Sequence, residues 1–265
     1  MIKLIITDLD GTFLNSQGSF DKAYYQKVRQ LMQEKEVVFA VCTGKQCERV
    51  EELFGEELSQ EIWILGDSAT RIKHRGQYVY ESLLKNALGL TIIEKLEQIA
   101  PDHVVIACTP TAAFIKTTTP TDQAKMVRGS YAVVKTVDNY QDITEDFVKI
   151  TVFDSQKRCF ESVLELDAFK EQAYIVASEA AWIDISNAGV HKGTTVAELQ
   201  KMLQVTKEET MAFGDGLNDR ELLETAAYSF AMRNAFEEIK DIAVFITKSN
   251  DENGVLDTIE KILAL

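Results

Sequence analysis

Histidine, proline, tryptophan and cysteine are all scarce in this 265-residue chain, with three, three, two and four copies. Cys42, Cys47, Cys108 and Cys159 fall into no Cys-x-x-Cys spacing. That excludes a zinc ribbon and a disulfide framework and leaves reduced packing residues. Cys42 also fails as a phosphatase nucleophile, because six positions on, where such a loop needs arginine, stands Glu48. A Gly-x-x-x-x-Gly-Lys phosphate loop is missing too. His74 and His103 read as surface or strand residues, His191 as a loop side chain, and Trp63 and Trp182 as packing.

Basic residues are outnumbered, 28 Lys and Arg against 42 Asp and Glu, for a formal charge of −14. A general field of that sign argues against nucleic acid or an acidic membrane as partner, so an anionic ligand must be held locally. No apolar run approaches the ~18 residues of a membrane span. The first residues read as a strand rather than a basic leader, and a cytoplasmic protein is expected. Low-complexity segments and tandem repeats are absent. What remains, 46% hydrophobic and 26% charged, suits one large or two modest globular domains.

Ile2, Leu4, Ile5 and Ile6 form a buried-type strand that runs straight into Thr7-Asp8-Leu9-Asp10-Gly11-Thr12. Open parallel sheets bind ligands beyond the carboxyl ends of their strands, where these acids fall. Two carboxylates about 4 Å apart at an effective dielectric near 20 repel by roughly 4 kcal/mol, a conflict that a cation removes. An amphipathic helix over 21–35 leads to a second strand, Val37–Val41, which ends in Cys42-Thr43-Gly44-Lys45; a helix to Phe54 and a strand from Ile62 to Leu65 follow. Strand and helix alternate, so a parallel sheet with helices on both faces is expected.

A hairpin over 71–81 breaks the rhythm. From Gly89 the pattern becomes helix and paired strands: His103–Thr109, Ala112–Lys116, a helix over Thr121–Arg128, then Tyr131–Thr136. Strand Phe147–Asp154, a helix to Gln172 and strands around Ile175 and Ile183 complete the region, which predicts an antiparallel sheet with helices on one face. Lys116, Lys125, Arg128 and Lys135 outnumber Asp122 here and read as a solvated helix face, or as a surface turned to an anionic substrate. The parallel rhythm resumes with a helix over 194–203, a strand over Thr210–Phe213 and Gly214-Asp215-Gly216-Leu217-Asn218-Asp219. Thr206 and Glu209 have capping-box spacing. A helix over 217–226, a strand Tyr228–Ala231, a short helix near Phe236, a strand Ala243–Ile246 and a helix from Gly254 close the chain.

Taken alone, Thr43 reads as a helix N-cap and Asn218-Asp219 as caps of the next helix. Taken together, Asp8 and Asp10, Thr43, Lys192 and the Gly-Asp-Gly-x-Asn-Asp at 214–219 resemble the four motifs of the haloacid dehalogenase superfamily of phosphohydrolases. The last motif and an α/β insert between Thr43 and Lys192 are similar to its Cof-type sugar-phosphatase branch with a C2B-type cap. The resemblance includes Asn234-Ala235 and Asp251-Glu252-Asn253-Gly254. It implies an α/β fold: a Rossmann-like parallel-sheet core, residues 1–82 and 187–265, and an inserted α+β cap domain, residues 83–186.

The resemblance also implies roles. Asp8 would be the nucleophile that becomes an aspartyl phosphate, and Asp10 the acid and base. Thr43, Gly44, Lys192 and Asn218 would bind phosphate, and Asp8, Asp10, Asp215 and Asp219 would form the metal site, with Asp219 alternatively steadying Lys192. Oxygen ligands of this kind point to Mg²⁺. The implied activity is hydrolysis of a small phosphorylated substrate, a sugar phosphate or phosphorylated cofactor. The alternatives are a phosphomutase of the phosphomannomutase type and a non-catalytic ligand-binding module. Lys45 stands where arginine is usual, Asp67-Ser68-Ala69 where Asn-Gly-Ala is usual, and Arg233 where glycine is more frequent.

Overall fold

The computed structural model describes residues 1–265, the side chain of Ser178 excepted. Strand β1 (Leu4–Thr7) is buried along its length, which is why four apolar or β-branched residues in a row suit it. It is followed by β2 (Val38–Cys42), β3 (Trp63–Gly66) and the hairpin strands β4 (Arg71–His74) and β5 (Gln77–Glu81). The inserted segment carries β6 (Val104–Cys108), β7 (Ala113–Lys116), β8 (Val134–Val137), β9 (Lys149–Phe153), β10 (Ala173–Glu179) and β11 (Trp182–Asn187). The chain then returns through β12 (Thr210–Gly214), β13 (Tyr228–Ala231) and β14 (Phe245–Ile246).

Among the described residues these strands form two sheets, ordered β14-β13-β12-β1-β2-β3-β4-β5 and β10-β11-β9-β6-β7-β8. The first is parallel from β14 to β3 and antiparallel through the hairpin. Thr7 pairs in register with Val41 on one side and Phe213 on the other. Asp8, Thr43 and Asp215 therefore leave the sheet at one edge, although the first and last are more than two hundred positions apart. Phe13, Phe20, Tyr25, Phe39 and Phe54 cluster beneath it, with ring centroids 4.9 to 5.8 Å apart. Helix Lys22–Glu34 enters this cluster through Tyr25, and Asp21 caps it by accepting from Tyr24 N.

The second sheet departs from expectation in two ways. Its β7–β8 pair is parallel, because helix Thr121–Ser130 carries the chain across between them. Alternate residues of β6 also join different apolar clusters, Val105 and Ala107 one, Val104 and Ile106 the other. Helix Asn86–Ile99 packs in the first cluster and helix Thr121–Ser130 in the second, so the helices cover both faces. Smaller differences are local. Tyr131 caps the end of helix Thr121–Ser130 rather than opening a strand. The helix expected before Gln172 is a four-residue helix, Cys159–Ser162, followed by 3₁₀ turns, and the Thr206–Glu209 capping box closes only a 3₁₀ turn before β12 takes over. The 217–226 helix is a 3₁₀ turn, Leu217–Asp219, continued by Arg220–Glu224, and the last strand keeps only Phe245–Ile246.

All four cysteines are buried and unpaired with one another. Among the described residues, no helix is long and apolar enough to cross a membrane.

Candidate active site

At the shared sheet edge, Asp8 N donates to Phe213 O at 3.0 Å, which fixes the first acidic loop against β12. Gly11, at φ +79°, lets that loop turn onto Asp215; a Cβ here would stand 2.3 Å from Asp215 Oδ2. Thr12 Oγ1 donates to Asp215 Oδ1 at 2.6 Å. Asn234 Nδ2 holds Gly11 O at 2.7 Å, and Asp251 accepts from Ser16 N and Oγ. The late segments around 234 and 251 thus brace the loop that follows the first acids.

Lys192 opens helix Lys192–Leu203, two residues earlier than the sequence pattern suggests. Its ammonium donates to Asp8 Oδ1 at 2.6 Å and Asp219 Oδ1 at 2.5 Å, with all three side chains buried. Asp219 Oδ2 accepts from Asp215 N and Gly216 N at 2.9 Å each. Asp219 stands at the N-cap position of helix Arg220–Glu224, but its side chain makes no cap hydrogen bond there and braces Lys192 instead. Burial works against the Lys192 charge, but Asp219 and Asp8 outweigh it and hold its pKa well above the ordinary value. Burial also raises Asp8 well above the usual carboxylate range, with Lys192 opposing and Asp219 and Asp215 adding to the rise. Asp215 is pushed up to about 6, first by burial, against the Thr12 hydrogen bond and with Asp219 assisting.

Oxygens of Asp8, Asp215 and Asp219 lie within 4.8 Å of one another. These all-oxygen donors fit a hard divalent cation. Asp10, counted with them from the sequence, stands outside this group. Its carboxylate is 60% exposed and pairs with Lys45 Nζ at 2.9 Å, because the turn at Gly11 points it toward open space instead of inward.

Thr43 is buried and its hydroxyl accepts from Lys45 N at 3.2 Å. The cap position of helix Cys47–Phe54 belongs to Gln46, so Thr43 is no N-cap. Asn218, Gly44, His191 and Lys192 line a small pocket of about 40 Å³. That pocket shares Gly44 and Asp184 with a cleft of about 490 Å³ between the two sheets.

The cleft wall contributed by the insert includes Tyr131, Lys149, Thr151, Trp182 and Asp184. Ile150 and Val152 of β9 join the buried cluster with helix Asn86–Ile99, so Lys149 and Thr151 face the other way. Lys149 Nζ reaches across to Gly44 O at 2.9 Å and Ser68 Oγ at 3.1 Å. The basic quartet named from the sequence plays no such part: Lys116 pairs with Glu97 and lines a separate cavity. The sequence did not single out Lys149, Thr151 and Asp184; the alternation in Lys-Ile-Thr-Val and Asp-Ile-Ser puts them on one face of their strands without saying which face meets the cleft. Trp182, expected as packing, packs on Phe153 and also lines the cleft. Trp63 stacks on His74 at 4.1 Å. His103 is no surface residue; its side chain is fully buried, 3.6 Å from Asp154.

The profile of haloacid dehalogenase-like hydrolases matches residues 5–259. The chain belongs to that family, and within it to the Cof-type phosphatases. A similar protein is the 5-amino-6-(5-phospho-D-ribitylamino)uracil phosphatase YbjI of Escherichia coli strain K12, 29% identical over 264 residues that span 99% of this chain and 96% of the relative. Another, YwtE of Bacillus subtilis, bears the same activity in its name and is 25% identical over 290 residues, 99% of each chain. The solved structure of SMU.1108c from Streptococcus mutans matches with a TM-score of 0.93 at 31% identity over all of both chains.

Proposed function

We propose that this protein hydrolyses small phosphomonoesters with Mg²⁺, through an aspartyl phosphate on Asp8, in the cytoplasm. The observation that carries the reading is Asp8 itself, a buried carboxylate hydrogen-bonded to Lys192 within an acidic group at the strand ends. Such a group is ill suited to binding alone, since it would repel a phosphate unless positive charge were supplied. Asp8, Asp215 and Asp219 would hold the metal, which supplies charge to the phosphate and aligns it.

Asp8 Oδ attacks phosphorus, the ester oxygen departs and Asp10 donates a proton to it; Asp10 then takes a proton from the water that cleaves the acyl phosphate. Asp10 suits this part because it borders the cleft rather than the buried acidic group. Lys192 offsets charge on Asp8 and on the transferring group, and the Thr43 hydroxyl and Asn218 amide are available to its oxygens. Residues 83–186 would act as the domain that selects the leaving group and excludes water.

Both named relatives make 5-amino-6-(5-phospho-D-ribitylamino)uracil the first substrate to try. The cleft supports it: Trp182 and Tyr131 offer flat apolar surface, and Thr151 and Asp184 offer polar contacts to a hydroxylated chain. Phosphate release from a panel holding this compound, hexose phosphates and p-nitrophenyl phosphate, with Mg²⁺ and with excess chelator, is the test. Isomerised sugar phosphate without phosphate release, or full activity in chelator, would overturn the proposal.

A further inference from the structure

We propose that Lys149, carried by the inserted sheet, is a positioning residue for Thr43 and transmits closure of the cap to the phosphate-binding hydroxyl through a single peptide unit. The inference rests on the phosphatase reading above and extends it.

Lys149 is a charged side chain in an enclosed place, only 4% exposed. Its ammonium finds two partners across the cleft, Gly44 O at 2.9 Å and Ser68 Oγ at 3.1 Å, and one on its own sheet, Asp184 Oδ1 at 3.7 Å. A buried ammonium needs such partners, so its seat exists only while the insert lies against the core.

The Gly44 carbonyl and the Lys45 N–H are opposite edges of one planar peptide. Lys149 grips the first edge, and the second donates to Thr43 Oγ1 at 3.2 Å. A hydroxyl has one donor and two acceptor sites. With the Lys45 N–H on one acceptor site, the Thr43 O–H is left to donate to a phosphate oxygen. Tilting this peptide would move the N–H and release that orientation.

The next carbonyl along is fixed as well, since Asp67 N donates to Lys45 O at 2.7 Å. Asp67, Ser68 and Ala69 all have positive φ, 56°, 58° and 64°. None is glycine, so the arch is strained and persists because its surroundings hold it. Thr195 Oγ1 donates to Ala69 O at 2.5 Å on one side, and Ser68 Oγ, held toward the cleft, meets Lys149 and Asp184 on the other. The arch and Lys149 thus clamp the peptides that follow Thr43 from two directions, and one of the two belongs to the cap.

A leaving-group contact would also place a lysine in this cleft, and the test separates the two. Lys149→Met, Thr43→Val and the double variant are compared for inorganic phosphate affinity with Mg²⁺ by calorimetry, and for kcat/KM on p-nitrophenyl phosphate. Inorganic phosphate has no leaving group. Lys149→Met is expected to weaken phosphate about tenfold and lower kcat/KM by about 10- to 100-fold. In the Thr43→Val background the same change should alter either by less than about twofold, since residues acting through one another are not additive.

Unchanged phosphate affinity in Lys149→Met, or losses that multiply in the double variant, would overturn the coupling. Ser68→Ala keeps the lysine and removes one partner; it should give a smaller loss, also masked by Thr43→Val, and carries the cycle if Lys149→Met fails to fold by circular dichroism. Full phosphate affinity in Ser68→Ala would then count against the proposal. A parent protein inert toward every ester, with phosphate binding still weakened by Lys149→Met, would sink the phosphatase reading and leave the coupling standing.

Discussion

The ammonium of Lys192 lies 2.6 Å from the carboxylate of Asp8, with both groups buried. The same ammonium is shared with Asp219, so one cation serves two of the three clustered acids. The pair joins the first residue after strand β1 to the first of a helix 184 positions later. Removing the cation is therefore expected to have two costs, one to the proposed catalysis and one to the fold.

Lys192→Ala is expected to lower kcat/KM by about 10² to 10³. Because Asp8 and Asp219 would be left buried without their partner, stability should also fall, by about 3 to 5 kcal/mol. Lys192→Arg should not restore the rate fully, since a planar fork does not replace a compact ammonium. Steady-state kinetics and thermal unfolding check both effects; an alanine variant as active as the parent would contradict the assignment.

Gly11→Ala should damage the proposed metal site without replacing any of its carboxylates. The residue sits at φ +79° and its new Cβ would meet Asp215 Oδ2 at 2.3 Å, so loop and carboxylate must separate. Disturbing a group that orients a metal ligand typically costs 10- to 100-fold in metal affinity. A titration of activity against Mg²⁺ should shift by about that factor. An unshifted titration curve would show that the contact has no bearing on the metal.

Acid should weaken the insert through Asp154. Its carboxylate accepts from Arg158 Nε at 2.8 Å and Nη2 at 2.9 Å and from the backbone N–H of Gln156 and Arg158. The Arg158 hydrogen bonds, against burial and with the two backbone donors assisting, hold it well below the ordinary carboxylate range. A pKa depressed in the folded state stabilises above the unfolded value, near 4, and that stabilisation is lost as pH falls toward the folded pKa. Asp154→Asn should thus be less stable than the parent by about 1.5 to 3 kcal/mol at pH 7 and by less at pH 3. Urea unfolding at the two values decides; an equal difference at both would remove Asp154 from the account.

The residues legible in the sequence are those whose place is set locally. Asp8, Thr43 and Asp215 each follow a short apolar strand, and strands in a parallel sheet end at one edge, so their convergence needed only the β-α-β rhythm. Lys192 was readable only through the family resemblance, as the residue at which that rhythm resumes. Lys149 was not, since Lys-Ile-Thr-Val-Phe describes any half-buried strand, and which face meets the cleft depends on how the insert folds back. The inward or outward turn of Asp10 was hidden for a similar reason: i, i+2 spacing places two acids on one side of a strand, but the strand ends at Thr7, so that rule does not reach Asp8 and Asp10. His103 sits just before β6, as its alternation suggests, but its nearness to Asp154, fifty-one positions later, was not readable from the sequence.

The most direct test of the central claim is phosphate release by the parent protein and by Asp8→Asn, purified alike, with Mg²⁺ and the best ester of the panel. The substitution removes the charge proposed to attack phosphorus, at almost constant shape, and relieves repulsion with Asp215 and Asp219. Asp8→Asn should therefore fold at least as stably as the parent and release no phosphate above background. Substantial turnover by the folded Asp8→Asn protein would contradict the account.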